Sequence, residues 1–233
     1  MAAPFATSNA VPPGPGPVGA GDYDPRTSLD ALLGPGVTVE AAPGQTIIVE
    51  GDPIRNCYRI LSGGVRLYKA IADGRRQVID FLVPGDSFGL IGRRCYPYSV
   101  EAISPTTLVR YPRIRIDAAV KSDPVVAMRL FELACLELER AQRQMLLLGR
   151  KSADEKIASF LLGLAERLNK SDKDLLHLPM SRQDMADYLG LTIETVSRTF
   201  SRLRREGLIE LATPHDVVLA QLESLRALGD GLE

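Results

Sequence analysis

Glu194, Ser197, Arg198 and Arg202 recur at spacings of three and four in the stretch LGLTIETVSRTFSRLRREGL, which runs from Leu189 to Leu208. On a helix that spacing gathers them along one side. The chemistry open to such a side is hydrogen bonding to the edges of DNA bases. Arg198 can present two donors to the O6 and N7 acceptors of guanine, Glu194 can accept from the N4 amino group of cytosine, and Ile193 can touch a thymine methyl. Ser197 lies beside them and completes the expected base-reading set. A carboxylate facing DNA is otherwise repelled by phosphate, so Glu194 argues for base reading rather than bulk charge. The plainer alternative, a solvated helix face with a Glu194–Arg198 ion pair, is worth only about a few tenths of a kcal/mol.

Such a face needs a scaffold, and the flanking residues supply one. MSRQDMADYLG begins with Ser181 and Asp184 in capping-box spacing, and Gly190 is placed to end that helix. Thr192 then caps the next helix. Ala186 and Gly190 are small where the two helices are expected to approach closely. Val196, Phe200 and Leu203 fall opposite the polar face and can anchor it. Helix, glycine turn and helix make a helix-turn-helix unit, whose second helix would offer its first turns to the major groove. Around that face, Ser181, Arg182, Gln183, Thr192, Thr195 and Arg202 are the candidate phosphate contacts, with Arg204 and Arg205 close by. LIELATPHDVVLA reads as a hairpin turning at Thr213-Pro214-His215-Asp216.

Upstream, Asp123-Pro124 opens a long helix. Phe131, Ala134, Leu138, Ala141, Met145 and Leu148 recur along it at spacings of three and four. A second apolar set, Val126, Leu130, Leu133 and Leu136, makes the stripe wider than one contact seam requires. The first set is therefore expected to pack on a second copy of the chain, the alternative being a helix buried wholly within one subunit. Earlier still, QTIIVEGD, CYRILSGGVRLYKA, RQVIDFLVPGD and TTLVRYP are short strands separated by turns at Gly63-Gly64, Asp73-Gly74 and Pro84-Gly85-Asp86. Strands at this spacing predict a small antiparallel roll. The expected fold class is α+β. Residues 1–28 read as a disordered Pro/Gly/Ala-rich leader, 29–121 as a β-roll, 122–149 as the dimerisation helix, 150–221 as a winged helix-turn-helix domain, and 222–233 as a carboxy-terminal tail.

Composition narrows the class. The chain has 233 residues, 28 Lys and Arg, 29 Asp and Glu, and a net charge of −1. Any nucleic-acid site must therefore be a local patch rather than bulk charge. No apolar run reaches the roughly 20 residues of a membrane span, and no secretory signal is visible. A cytoplasmic protein with no membrane partner is expected. Cys57, Cys95 and Cys135 form neither a disulfide framework nor a CxxC pair. A β-roll can be the body of a cupin-type metalloenzyme, but no histidine lies between Met1 and Leu176. No Ser-His-Asp or paired-carboxylate signature appears either, so no enzyme is expected.

The order of roll, long helix and winged helix-turn-helix, together with FLVPGDSFG and LGLTIETVSRTFSRL, resembles the family of the cyclic-AMP receptor protein and the fumarate and nitrate reduction regulator, the CRP/FNR family. The resemblance covers about Leu33 to Ala220 and is greatest to its FixK-type regulators of proteobacteria. It implies a homodimeric transcription factor, usually an activator under low oxygen, that works with RNA polymerase. In the family pattern the glutamate and arginine of ETVSR read each half-site, roles that map onto Glu194 and Arg198. Ile193 and Ser197 resemble the oxygen-responsive branch, which implies a TTGAT-like inverted repeat rather than TGTGA. The family's cyclic-nucleotide pocket needs a glutamate after the FG pair, where this chain has Leu90. It also needs an arginine directly before a serine, where this chain has Tyr98-Ser99, with Arg93 and Arg94 earlier. An oxygen-sensing cluster would need four thiolates, and a haem would need a ligand in the roll. No cofactor or metal is therefore expected. The alternative left open is gating by an unfamiliar ligand or by cysteine oxidation, or repression instead of activation.

Overall fold

The computed structural model of the chain describes residues 33–71, 76–90, 94–168 and 175–231. The leader, the Asp73-Gly74 turn and Arg93 lie outside them. Eight strands fold first: β1 Val37–Ala41, β2 Thr46–Ile48, β3 Asn56–Ser62, β4 Val65–Ala70, β5 Arg76–Leu82, β6 Ser87–Phe88, β7 Ser99–Ala102 and β8 Thr106–Pro112. They form two antiparallel four-stranded sheets, ordered β1-β8-β3-β6 and β2-β7-β4-β5. Alternate side chains of both sheets meet inside. Ile60, Val65, Leu67, Leu82, Phe88, Val100 and Leu108 are buried together there, and Tyr58 stacks on Phe88. Gly63 turns β3 into β4 with a φ of 81°. A Cβ there would lie 2.3 Å from the Pro105 carbonyl oxygen, so both the dihedral and the space require glycine.

Strand β5 carries a bulge. Leu67 faces Asp80 but Tyr68 faces Val78, which leaves Ile79 as an extra residue. Strict alternation would put Val78 and Phe81 on opposite faces; the bulge brings both to one face. That face packs against the carboxy-terminal half, where Val78, Phe81 and Val83 join its core.

Helix α1, Arg113–Ser122, follows the roll, a helix absent from the sequence reading. It has no side-chain cap and buries only Ile116, so its primary sequence carries little signal. Helix α2, Pro124–Arg150, starts where Asp123 accepts a hydrogen bond from the Val125 N–H, with Pro124 in the first turn. Helix α3, Ala153–Arg167, opens with a complete capping box between Ser152 and Glu155. Then come β9 Leu175–His177, α4 Arg182–Leu189, α5 Ile193–Arg205, β10 Ile209–Leu211, β11 Asp216–Leu219 and α6 Leu222–Asp230. The segment read as a tail thus contains helix α6. Its Leu225 is buried, and the Gly229 carbonyl accepts from Lys151 Nζ at 2.6 Å. No helix among the described residues is long and apolar enough to cross a membrane.

Candidate nucleic-acid interface

The α4–turn–α5 unit is held by its own caps. The Ser181 hydroxyl accepts from the Asp184 N–H at 3.1 Å, while Asp184 Oδ2 accepts from the Ser181 N–H at 3.1 Å and from its hydroxyl at 2.7 Å. Gly190 takes φ 63° and ends α4. An L-residue held there costs about 1–2 kcal/mol. A Cβ on Gly190 would meet only Leu148 Cδ2, at 3.6 Å. The glycine is therefore needed for its dihedral; the expected crowding at this position is absent. Ala186, in contrast, is fully buried. Thr192 accepts from the Thr195 N–H at 3.2 Å and starts α5.

Along α5, Val196, Thr199, Phe200 and Leu203 are buried. Ile193, Glu194, Ser197 and Arg198 are all exposed, so the four expected base readers share one open face. Hydrogen bonds from its own backbone N–H and the Thr192 hydroxyl, with the nearby Arg198 charge, hold the Glu194 carboxyl below its ordinary range. It is thus an acceptor only. Arg198, Arg204 and Arg205 form no ion pair among the described residues, which leaves their donors available.

The expected phosphate contacts divide. Arg182 lays its guanidinium over the Phe200 ring, 3.4 Å from the centroid, and donates to the Pro214 carbonyl at 3.1 Å. Burial pushes its pKa down to about 10. Arg202 pairs with Asp154, whose Oδ1 also accepts from the Thr199 hydroxyl at 3.0 Å. Both arginines therefore also brace the domain at its surface, Arg182 half-buried and Arg202 exposed. Their partners stand 18 and 48 residues away in sequence, which is why spacing alone did not reveal them. Gln183 donates to Asp187 at 2.7 Å, and the Thr192 and Thr195 hydroxyls share a 3.1 Å hydrogen bond.

Beside α5, β10 and β11 pair with Ile209 opposite Leu219, and β9 adds a third strand against β11. The turn is the one read from the sequence: Ala212 N donates to Asp216 O at 3.0 Å. His177 Nδ1 lies 2.8 Å from Asp216 Oδ1, and this bond, with that from Thr213, keeps the Asp216 carboxyl below its usual range.

Two further regions bear on function. On α2, Phe131, Leu138 and Met145 are 65%, 59% and 64% exposed, and Ala134, Ala141 and Leu148 are exposed on the same stripe. Val126 is buried while Leu130, Leu133 and Leu136 are half-buried, so the helix rests on its own domain with the other face. In the roll, Leu90 is half-buried and the Tyr98 hydroxyl accepts from the Gly89 N–H at 3.2 Å. Burial pushes the Cys57 thiol up to about 12, so it is not a reactive thiolate.

A cyclic nucleotide-binding domain is matched over residues 38–123 and a Crp-like helix-turn-helix domain over residues 155–228. Similarity over most of the chain accompanies them. The nitrogen fixation regulation protein FixK of Bradyrhizobium diazoefficiens is 46% identical over 178 residues, 76% of this chain and 75% of that protein. The protein of the same name from Rhizobium meliloti is 40% identical, over 84% of this chain and 89% of its own length. The chain belongs to the CRP/FNR family of transcription regulators. Its fold agrees with the structure of FixK2 from Bradyrhizobium japonicum, with a TM-score of 0.79, 38% identity and coverage of 83% of this chain and 96% of that one. As a member of the CRP/FNR family it is a DNA-binding regulator rather than an enzyme, and α5 occupies the place of the second helix in its helix-turn-helix.

Proposed function

We propose that this regulator acts in the cytoplasm as a homodimer that reads an inverted-repeat operator and activates transcription, with RNA polymerase as its partner, when oxygen is limiting. The observation that carries the reading is the open α5 face, where ionised Glu194 and unpaired Arg198 stand beside Ile193 and Ser197 on the first turns. Those four side chains read bases, and Ser181, Gln183, Thr192, Thr195, Arg204 and Arg205 are placed to meet phosphates. Arg182 and Arg202, which also brace the domain through Phe200 and Asp154, flank the same face and belong to the same set. The exposed stripe of α2 supports pairing through Phe131, Ala134, Leu138, Ala141, Met145 and Leu148. Two-fold pairing would set half-sites about 34 Å apart. Relatives named for nitrogen fixation regulation support a regulatory role of that kind, and the TTGAT-like half-site rests on the resemblance of Ile193 and Ser197 to the oxygen-responsive branch.

No cyclic nucleotide or iron–sulfur cluster enters this mechanism. Leu90 offers no acceptor to a ribose, and Tyr98-Ser99 offers no cation to a phosphate. The test is selection of bound duplexes from a random pool with purified protein, in aerobic and oxygen-free buffer, with and without cyclic AMP. An inverted TTGAT-like repeat enriched equally in every arm is expected. A tenfold gain with cyclic AMP would overturn the effector-free reading, and enrichment of single half-sites would overturn the dimer.

A further inference from the structure

The DNA-binding domain meets α2 at a joint of two residues. Lys151 and Ser152 are extended, with ψ of 142° and 170°, between the end of α2 and the start of α3. Two extended residues do not set an angle between helices. The angle at which the domain leaves α2 must come from contacts elsewhere.

Beside the direct contacts of Gln144, Leu147 and Lys151, the polar contacts that pass through the roll fall into two groups. The first joins the roll to α4: Arg66 and Arg76 donate to Asp184 Oδ1 at 2.6 and 2.9 Å, and Gln77 donates to the Asp187 carbonyl at 2.6 Å. Phe81, Phe160 and Tyr188 pack beside them, with ring centroids 5.2–6.1 Å apart. This group fixes the domain to the roll without reference to α2. The second group lies at the turn between β5 and β6. Asp86 Oδ1 accepts from Arg140 of α2 at 3.3 Å, and Oδ2 accepts from Arg167 of α3 at 2.5 Å. Oδ2 also accepts from the Val83 N–H at 2.9 Å, which ties the carboxylate to its own turn. Arg167 reaches Asp80 as well, at 3.3 Å, and Arg140 reaches Glu137 at 3.0 Å.

Among the described residues, Asp86 is the one carboxylate paired with both the long helix and the DNA-binding domain. Its side chain is 9% exposed, so these pairs are little screened by water. The apolar contacts across the same junction can slide; charge-assisted hydrogen bonds to both oxygens of one carboxylate are directional. Gln144 adds a bond from α2 to the Tyr188 carbonyl at 3.1 Å, but it does not reach the roll.

We propose that Asp86 is a positioning residue for operator recognition: by holding Arg140 and Arg167 at once it fixes the angle between α2 and the recognition helix, and so the spacing of half-sites the dimer accepts. The proposal rests on the dimeric, operator-reading function above. Successive base pairs rise about 3.4 Å along the duplex, so a small swing of each domain is enough to shift the preferred register by one pair.

The test measures affinities of the full chain for duplexes carrying the same two half-sites with central spacers one base pair shorter, equal and longer, and for one half-site alone. Asp86→Asn keeps an acceptor for the Val83 N–H and removes the charge. Wild type is expected to favour one spacing by about tenfold or more, a difference on the scale of one lost base contact. The variant is expected to lose most of that preference while its single-half-site affinity stays within about twofold. A variant merely damaged in folding would lose both together. Arg140→Gln gives an independent check, because it frees the α2 end and leaves the pairs to Arg167 intact; it should flatten the profile in the same way. Spacing profiles of Asp86→Asn and Arg140→Gln as sharp as wild type would overturn the proposal. Wild type binding one half-site as tightly as every repeat would overturn the dimer reading, and this proposal with it, a result visible before any variant is made.

Discussion

Along α2 the residues left open to water are Phe131, Leu138 and Met145; along α5 they are Glu194, Ser197 and Arg198. Both faces have a buried counterpart on the same helix, yet their chemistry is opposite. Water is displaced from the first face at a gain of about 25 cal/mol per Å² of apolar surface. The second gains nothing from burial against an apolar surface, because its donors and acceptors would lose their partners. It can be covered only by something that supplies matching groups. The pair of faces therefore teaches a division of labour. On the proposed reading the first meets a copy of itself, with an association weakly sensitive to salt, and the second meets a polyanion, with an affinity that falls steeply as salt rises.

The sharpest way to break this comparison is to give the first face the chemistry of the second. Leu138→Asp puts a charge in the middle of the apolar stripe. Sedimentation is expected to show monomer, and affinity for an inverted repeat should fall by about a hundredfold or more, since the two half-sites are no longer bound by a linked pair. Because Leu138 is exposed in the single chain, the variant should stay folded and unfold cooperatively, with a midpoint lowered only by the lost association. A variant that remains dimeric and binds normally would sink the assignment of α2.

What the sequence made legible follows the range of the interactions. The α4–turn–α5 unit was readable because Ser181, Asp184, Gly190 and Thr192 act on neighbours within three residues. The cap of α2 at Asp123 was readable for the same reason. The sheet order of the roll was not, since β1 pairs with β8 across about 70 residues of chain. Neither was the Ile79 bulge, which alters which side chains of β5 face the DNA-binding domain. Helix α1 lacks a side-chain cap, and α6 begins at Gln221 without one, so neither announced itself. At the site, exposure of Ile193, Glu194, Ser197 and Arg198 followed from helical period. The contacts of Arg182 and Arg202 within the domain did not, because Phe200, Pro214 and Asp154 reach them only through the fold.

Within the second face, specificity and bulk attraction can be separated. Arg198→Ala is expected to cost about 1–3 kcal/mol on the preferred operator and to relax the preference at one base pair. Arg204→Ala should weaken specific and random duplexes alike and lower the slope of log affinity against log salt by about 1. Competition binding at several salt concentrations reads both. Equal losses for Arg198→Ala on operator and random DNA would remove it from the base-reading set.

The smallest effect tests whether the polar face is held by local chemistry or by the packing beneath it. The Thr192 hydroxyl accepts from the Thr195 N–H and also helps keep Glu194 ionised. Thr192→Ala is expected to lower the stability of the DNA-binding domain by about 1 kcal/mol, the ordinary worth of such a cap, and Thr192→Ser should restore most of it. Denaturant unfolding gives the loss directly. If the buried anchors Val196, Phe200 and Leu203 alone fixed the start of α5, the alanine variant would match wild type, and the open face would owe its geometry to the core. A loss rescued by serine instead assigns that geometry to the cap, because a base-reading face depends on the direction of its hydrogen bonds and not on shape alone.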